Sequence, residues 1–414
     1  MLNRNTPPPF QEADIIAAPI PKKIPTGDID LWWFDQVDQP AVRIEVVWPA
    51  GRWFEPKPGA SHFLAALLDK GTRNRSAIQF AETLEFHGSS VEAQSGYDYL
   101  TLTLLSIESQ LANVLPLLFE IINESLFPED ELRMAKNIYL QNLQVNRQKN
   151  SFLASVAMRE NLFGARHPYG SRLEEAEAEE ISVNLLTHFF QQAGRPVVFV
   201  TGRISPTEIE LLCNFFRTHS WRETPAKTFE PRSGPSKIRI DRKESLQTAL
   251  RLAKLSINRQ HADYAAVVLL NHILGGYFGS RLMRNIREEK GLTYGIYASI
   301  NPFLNGSVQF IAADVNKQNC DLALDEIRKE LGLLNILNEN ELTLARNHFL
   351  GSLQLEVANP FSIVDRFRTT RLMGLTPTFY EQLATEIKAL TLERLKETAK
   401  IHFAPNAFNE IAIG

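Results

Sequence analysis

Two stretches about 200 residues apart carry the same order of elements, and this constrains the architecture more than any other feature of the chain. Glu85-Phe86-His87-Gly88 closes one helical segment, and Glu288-Glu289-Lys290-Gly291 closes another. Each is followed by two strand-like segments and then a long helix. A chain of 414 residues also exceeds the roughly 250–300 residues at which one core stops growing. Duplication and length together predict an α+β protein of two homologous halves, each an antiparallel-rich sheet backed by helices.

The first half reads as residues 1–223. A Pro-rich start, up to about residue 27, is expected to lie extended. Strands follow at 30–34 and 42–48, the second alternating at period two. Helices are expected at 61–70 and 76–87, with Gly88 as C-cap, then strands at 90–94 and 97–106. Helices at 109–124, 128–148, 152–163 and 183–192 and a strand at 196–201 complete it. Residues 224–243, rich in Pro, Ser and Lys, read as a linker. The second half, 244–414, opens with a strand at 247–256 and a helix at 262–274. A helix at 280–290, strands at 293–299 and 306–314, and a helix at 318–334 come next.

Composition excludes several function classes. The net charge of −4 gives no electrostatic case for nucleic acid or an anionic membrane surface. No apolar run approaches the ~18 residues of a membrane span. The start, Met1 to Pro9, has prolines where a secretory signal needs an apolar core. Cys213 and Cys320 stand isolated, one in each half, and read as reduced core cysteines. A cytoplasmic protein is the simplest account.

Metal chemistry is the next question. A hydrolytic zinc helix of the form His-x-x-Glu-His sets two imidazoles on one helical face and a carboxylate to polarise water. The segment Ser61 to Thr72 presents His62-Phe63-Leu64-Ala65-Ala66, with alanine at the Glu position and at the second His. None of the nine histidines lies three or four residues from another. His62 alone reads as an ordinary histidine, and His167-Pro168-Tyr169-Gly170 as a structural turn.

These residues resemble the pitrilysin–insulinase zinc metallopeptidases, the group that includes mitochondrial processing peptidase. The resemblance runs through His62-Phe63-Leu64, Lys70-Gly71-Thr72, Leu84-Glu85, Gly88, Val91-Glu92-Ala93 and His167-Pro168-Tyr169-Gly170. It continues through Gln247, Leu274-Gly275-Gly276, Ser280-Arg281-Leu282 and 286–294. It implies a third zinc ligand, a Glu, at a position that falls on Asn142. Three metal-centre positions, Ala65, Ala66 and Asn142, therefore carry the wrong residue types, and no metal is expected on this chain.

The resemblance also implies an Arg and a Tyr seven residues apart in the second half, here Arg287 and Tyr294. A Tyr hydroxyl can donate to the scissile carbonyl oxygen as charge builds, and an Arg fork can hold a neighbouring peptide carbonyl. Gly275, Gly276 and Gly279 form a turn before that helix, read either as a flexible loop over substrate or as a tight helix connection. Arg281 reads as structural, pairing with a carboxylate. Some bacterial members of the family divide the chemistry between two subunits. The expectation is accordingly a non-catalytic, substrate-orienting subunit of a heterodimeric zinc peptidase. Zinc would sit on a His-x-x-Glu-His-bearing homologous subunit, a peptide would be the substrate, and the isolated chain would be inactive or pair as a homodimer. The alternative is a degenerate member acting as a scaffold or peptide-binding protein.

Overall fold

The computed structural model describes residues 17–224 and 226–414; residues 1–16 of the Pro-rich start lie outside the described residues. In the first half the strands are β1 (Lys22–Thr26), β2 (Ile29–Phe34), β3 (Ala41–Trp48), β4 (Ser90–Ser95), β5 (Leu100–Ile107) and β6 (Val197–Thr201). Helices α1 (Ala60–Leu67) and α2 (Ala77–Phe86) lie between β3 and β4. After β5 come α3 (Leu111–Glu124), α4 (Glu129–Arg147), α5 (Asn150–Phe163), α6 (Glu175–Glu179) and α7 (Val183–Gln191). Helix α8 (Pro206–Thr218) follows β6.

The second half repeats this order. Strands β7 (Lys237–Ile240) and β8 (Gln247–Leu255) lead to α9 (Tyr264–Gly275), a π-helix (Met283–Glu289), β9 (Thr293–Phe303) and β10 (Gly306–Asn316). Helices α10 (Cys320–Leu333), α11 (Glu339–Leu355), α12 (Pro360–Leu372), α13 (Phe379–Ala389) and α14 (Leu392–His402) precede β11 (Asn409–Ile413). The strand orders are β1-β2-β6-β3-β5-β4 and β7-β11-β8-β10-β9. Each sheet holds one parallel pair, β2 with β6 and β7 with β11, among antiparallel ones. Gly88 and Gly291 fill equivalent places and both adopt left-handed φ, +58° and +63°, which glycine takes without a Cβ clash.

Three local readings need correction. The stretch 224–243 expected as a linker holds regular structure, because Lys237–Ile240 is the edge strand of the second sheet. Residues 97–99 belong to the β4–β5 turn, so β5 starts at Leu100. The segment expected as an ordinary helix at 280–290 is a π-helix over Met283–Glu289. Asn285, buried within it, donates to Glu326 Oε2 at 3.0 Å and Glu330 Oε1 at 2.6 Å, tying that wider turn to α10.

The halves exchange a helix. Ala154, Met158 and Leu162 of α5 pack against Ala249, Ala253, Ile411 and Ile413 of the second sheet. Ile363, Val364 and Phe367 of α12 pack against Phe34, Val47 and Phe199 of the first. Strand β3 is consequently covered on both faces. Its polar face, Arg43 and Glu45, is neutralised by α12: Arg43 Nη2 donates to Asp365 Oδ1 at 2.8 Å, and Glu45, 3% exposed, pairs with Arg368. A buried carboxylate is tolerated when it is paired in this way.

Candidate functional site

Helix α1 buries Phe63, Leu64 and Leu67 against the first sheet, and the Glu55 carboxylate caps its start. That carboxylate accepts from Gly59 N at 3.1 Å, Ser61 N at 3.2 Å and Ser61 Oγ at 2.9 Å. His62 is left on the exposed side, its ring 5.1 Å from that of Tyr139 on α4. Surrounding protein and the positive charge of Arg52 lower its pKa, favouring neutral imidazole. Ala65 faces the core, Ala66 is half-buried, and Asn142 is exposed on α4. The Tyr139 hydroxyl is engaged, donating to Leu173 O at 2.6 Å.

A structural or catalytic zinc site needs three or more N, O or S donors converging at about 2 Å. This recess offers one imidazole, two methyl groups and an engaged phenol, beside a fixed positive charge. Among the described residues no group of three or more His, Cys, Asp or Glu side chains is placed to hold a metal ion. The residues do not fit zinc.

The second half holds a more developed arrangement. Arg287 lies in the π-helix and Tyr294 near the start of β9, the edge strand of its sheet. Arg287 Nε donates to the Tyr294 backbone oxygen at 3.0 Å, and its guanidinium lies 4.7 Å from the Phe278 ring centroid. One edge of the fork is thereby fixed and the stem held against an aromatic face. The Tyr294 side chain projects into solvent, with the residue 93% exposed. Phe278, in the turn between α9 and the π-helix, and Tyr297, on the opposite face of β9, are also exposed.

The neighbouring glycines have a packing reason. Gly275 is the buried last residue of α9, where a Cβ would lie 2.6 Å from Ala298 N of β9. At Gly276 a Cβ would lie 2.6 Å from His272 Nδ1, and at Gly279 it would lie 3.0 Å from the Tyr277 ring. None of the three has a positive φ. These close approaches give Gly275 and Gly276 a packing reason of the kind a tight helix connection requires. Arg281 is structural, as its chemistry suggested: it grips both Glu341 oxygens at 2.5 and 2.8 Å and donates to Leu333 O and Ile336 O.

Behind this turn His272 Nε2 and His348 Nδ1 meet at 3.0 Å, with Tyr277 stacked on His272 at 4.8 Å. Sequence carried no signal for a pair 76 residues apart. Burial, then the nearby His348, lowers the His272 pKa to about 4. The unfolded chain takes up a proton near pH 6.5, whereas the folded chain does not until about pH 4. Stability is therefore lost as pH falls from 6.5 towards 4 and levels off below that. The loss is at most about 3 kcal/mol, read as a falling melting temperature that His272→Gln largely abolishes.

Sequence reasoning also passed over Asp98. Its Oδ1 accepts from the Tyr169 hydroxyl at 2.5 Å and its Oδ2 from Leu304 N at 3.0 Å. It thus clamps the β4–β5 turn of one half to the β9–β10 turn of the other. The sequence reads as strand over 97–99, and the partner of Asp98 in the other half lies 206 residues away.

Comparison with known proteins bears on the family and the fold. Residues 35–169 match the family described as Insulinase (Peptidase family M16), and residues 181–349 match the Peptidase M16 inactive domain. The chain is 24% identical over 349 residues to the uncharacterized zinc protease YmxG of Bacillus subtilis, covering 83% of this chain and 85% of that one. It is 25% identical over 362 residues to the non-peptidase homolog YmxG of Helicobacter pylori, covering 83% and 82%. Among solved structures, a peptidase M16 inactive domain from Pseudomonas fluorescens superimposes with a TM-score of 0.86 at 25% identity, covering 95% of this chain and 98% of that one. A protease from Helicobacter pylori gives a TM-score of 0.83 at 16% identity, covering 95% and 100%, a likeness of fold.

Proposed function

Because the chain belongs to the insulinase family of peptidases, peptidase family M16, we propose that it is the substrate-orienting, non-catalytic subunit of a two-chain zinc peptidase. The carrying observation is the selectivity of the loss. The α1–α4 recess has no zinc donor set, while Arg287 and Tyr294 are brought together and presented. The partner in this reading is a homologous subunit bearing His-x-x-Glu-His. A peptide lies along β9, whose free edge can pair with an extended backbone. The Tyr294 hydroxyl donates to the scissile carbonyl oxygen as negative charge develops there, and the free side of the Arg287 fork takes a neighbouring carbonyl. The comparisons support a non-catalytic member of the family: one part of the chain matches an inactive domain and one relative is named a non-peptidase homolog.

No described helix is long and apolar enough to cross a membrane. Cys213 and Cys320 are buried and free, which fits the reducing compartment assigned above, the cytoplasm.

The test is reconstitution with a His-x-x-Glu-His homologue from the same organism. The isolated chain should cleave no peptide and hold no stoichiometric zinc by elemental analysis, and the mixture should co-elute and cleave. Failure to associate would favour the scaffold reading; stoichiometric zinc and hydrolysis by this chain alone would sink both.

A further inference from the structure

A separate cavity lies between the loop joining β8 to α9 and the connection from α12 to α13. It encloses about 320 Å³, a size suited to a small ligand. Gln260 Nε2 donates to Gly374 O at 3.5 Å and ties the two loops together. Tyr264, Leu375, Phe379 and Leu383 supply apolar walls, and Arg259, His261 and Glu386 supply polar ones. Phe379, Leu383 and Glu386 recur at helical spacing, so one face of α13 carries both an apolar wall and a carboxylate.

The two charges of this cavity are fixed but unused. Arg259 Nη1 donates to the Tyr380 hydroxyl at 3.1 Å, and the guanidinium lies 6.0 Å from the Phe379 ring centroid. Its Nε is buried without a hydrogen-bond partner, which is costly until an acceptor arrives. Among the described residues no carboxylate is in salt-bridge contact with Arg259, and exposed Glu386 has no ion-pair partner either. Two other acids on these elements are engaged elsewhere. Glu381 Oε1 accepts from Ala18 N on the far side of α13, and Asp263 pairs with His402 and Arg394. His261 adds a donor: its Nδ1 accepts from Asp263 N at 3.0 Å, so the neutral ring carries its proton on Nε2.

An arginine and a glutamate thus line one cavity without meeting, and apolar side chains line the same space. That arrangement complements a molecule with both charges and an apolar body. The guanidinium fork matches a carboxylate, and the Glu386 carboxylate accepts from an ammonium. We propose that this cavity binds a small zwitterion with an apolar body, a free apolar α-amino acid or a dipeptide of such residues. Its carboxylate lies on Arg259 and its ammonium on Glu386. The site does not depend on the peptide chemistry assigned to β9.

Isothermal titration of the full chain tests this with L-phenylalanine and L-leucyl-L-leucine. Each is compared with its carboxyl amide and its N-acetyl form, which remove one charge apiece. At least one zwitterion should bind in the millimolar range or tighter. It should bind about tenfold better than either singly charged form, the scale of one hydrogen bond to a charged group. Which zwitterion does so separates amino acid from dipeptide. Glu386→Gln, at an exposed position, should keep the melting temperature and abolish the preference over the N-acetyl form. Arg259→Gln should abolish the preference over the amide; if it fails to fold, Glu386→Gln still decides. Absence of binding by both zwitterions overturns the site. So does an N-acetyl or amide form that binds as tightly as its parent, or a preference that survives Glu386→Gln.

Discussion

In the reconstituted pair, Tyr294→Phe should lower kcat/KM by on the order of 10²-fold, the usual effect of deleting one oxyanion donor. The loss should fall mainly on kcat, because the hydroxyl strengthens its bond only as charge builds on the carbonyl oxygen. Folding should be untouched, since the ring is 93% exposed and buries nothing. Arg287→Ala should cost a comparable factor but fall partly on KM, because Arg287 holds peptide in ground and transition states alike. Arg287→Lys should not rescue it: an ammonium cannot bond the Tyr294 oxygen with one edge and a peptide carbonyl with the other. Full activity of Tyr294→Phe in a stable complex would remove the residue from the chemistry.

Asp98→Ala should destabilise the fold by about 2 kcal/mol, since two donors lose their acceptor and the buried one costs roughly 1–3 kcal/mol when left unsatisfied, while the exposed Leu304 N–H can turn to water. The Tyr169 hydroxyl, on a buried residue, and the Leu304 N–H are those donors. Tyr169→Phe should cost less, because it leaves the Leu304 bond intact. Denaturant unfolding measures both, and the double variant should be less than additive because the pair shares one carboxylate. An unchanged midpoint for Asp98→Ala would show that the inter-half contact is carried by apolar packing alone.

Much of the architecture was legible because it rests on local chemistry repeated twice. The period-two strand at 42–48, the Ser76 capping box with Gln79 and the glycines at 88 and 291 act within a few residues, so the sequence displays them directly. Arg281 was legible for a similar reason: a long charged side chain beside a buried helix face requires a carboxylate. The π-helix was not, because its wider turn is held by Glu326 and Glu330 on α10, some forty residues on. Strand β7 was missed since its alternating Lys-Ile-Arg-Ile is only four residues long, sits in a Pro- and Ser-rich stretch, and gains its pairing from β11, at the far end of the chain.

At the site, the missing zinc donors at Ala65, Ala66 and Asn142 follow from residue type, because a methyl group cannot ligate in any fold and a neutral amide is a poor zinc ligand. The spacing of Arg287 and Tyr294 is equally a property of the sequence. That Arg287 is locked onto a backbone oxygen and stacked on Phe278, while Tyr294 projects from a free sheet edge, was decided only by tertiary packing. The same holds for the exchange of α5 and α12 and for the Asp98 clamp. Each joins residues tens to hundreds of positions apart, and no local pattern encodes such a meeting. The sequence alone determined which donor types stand at these positions; the folded structure decided which groups are engaged in packing and which, like Tyr294, are left at the surface.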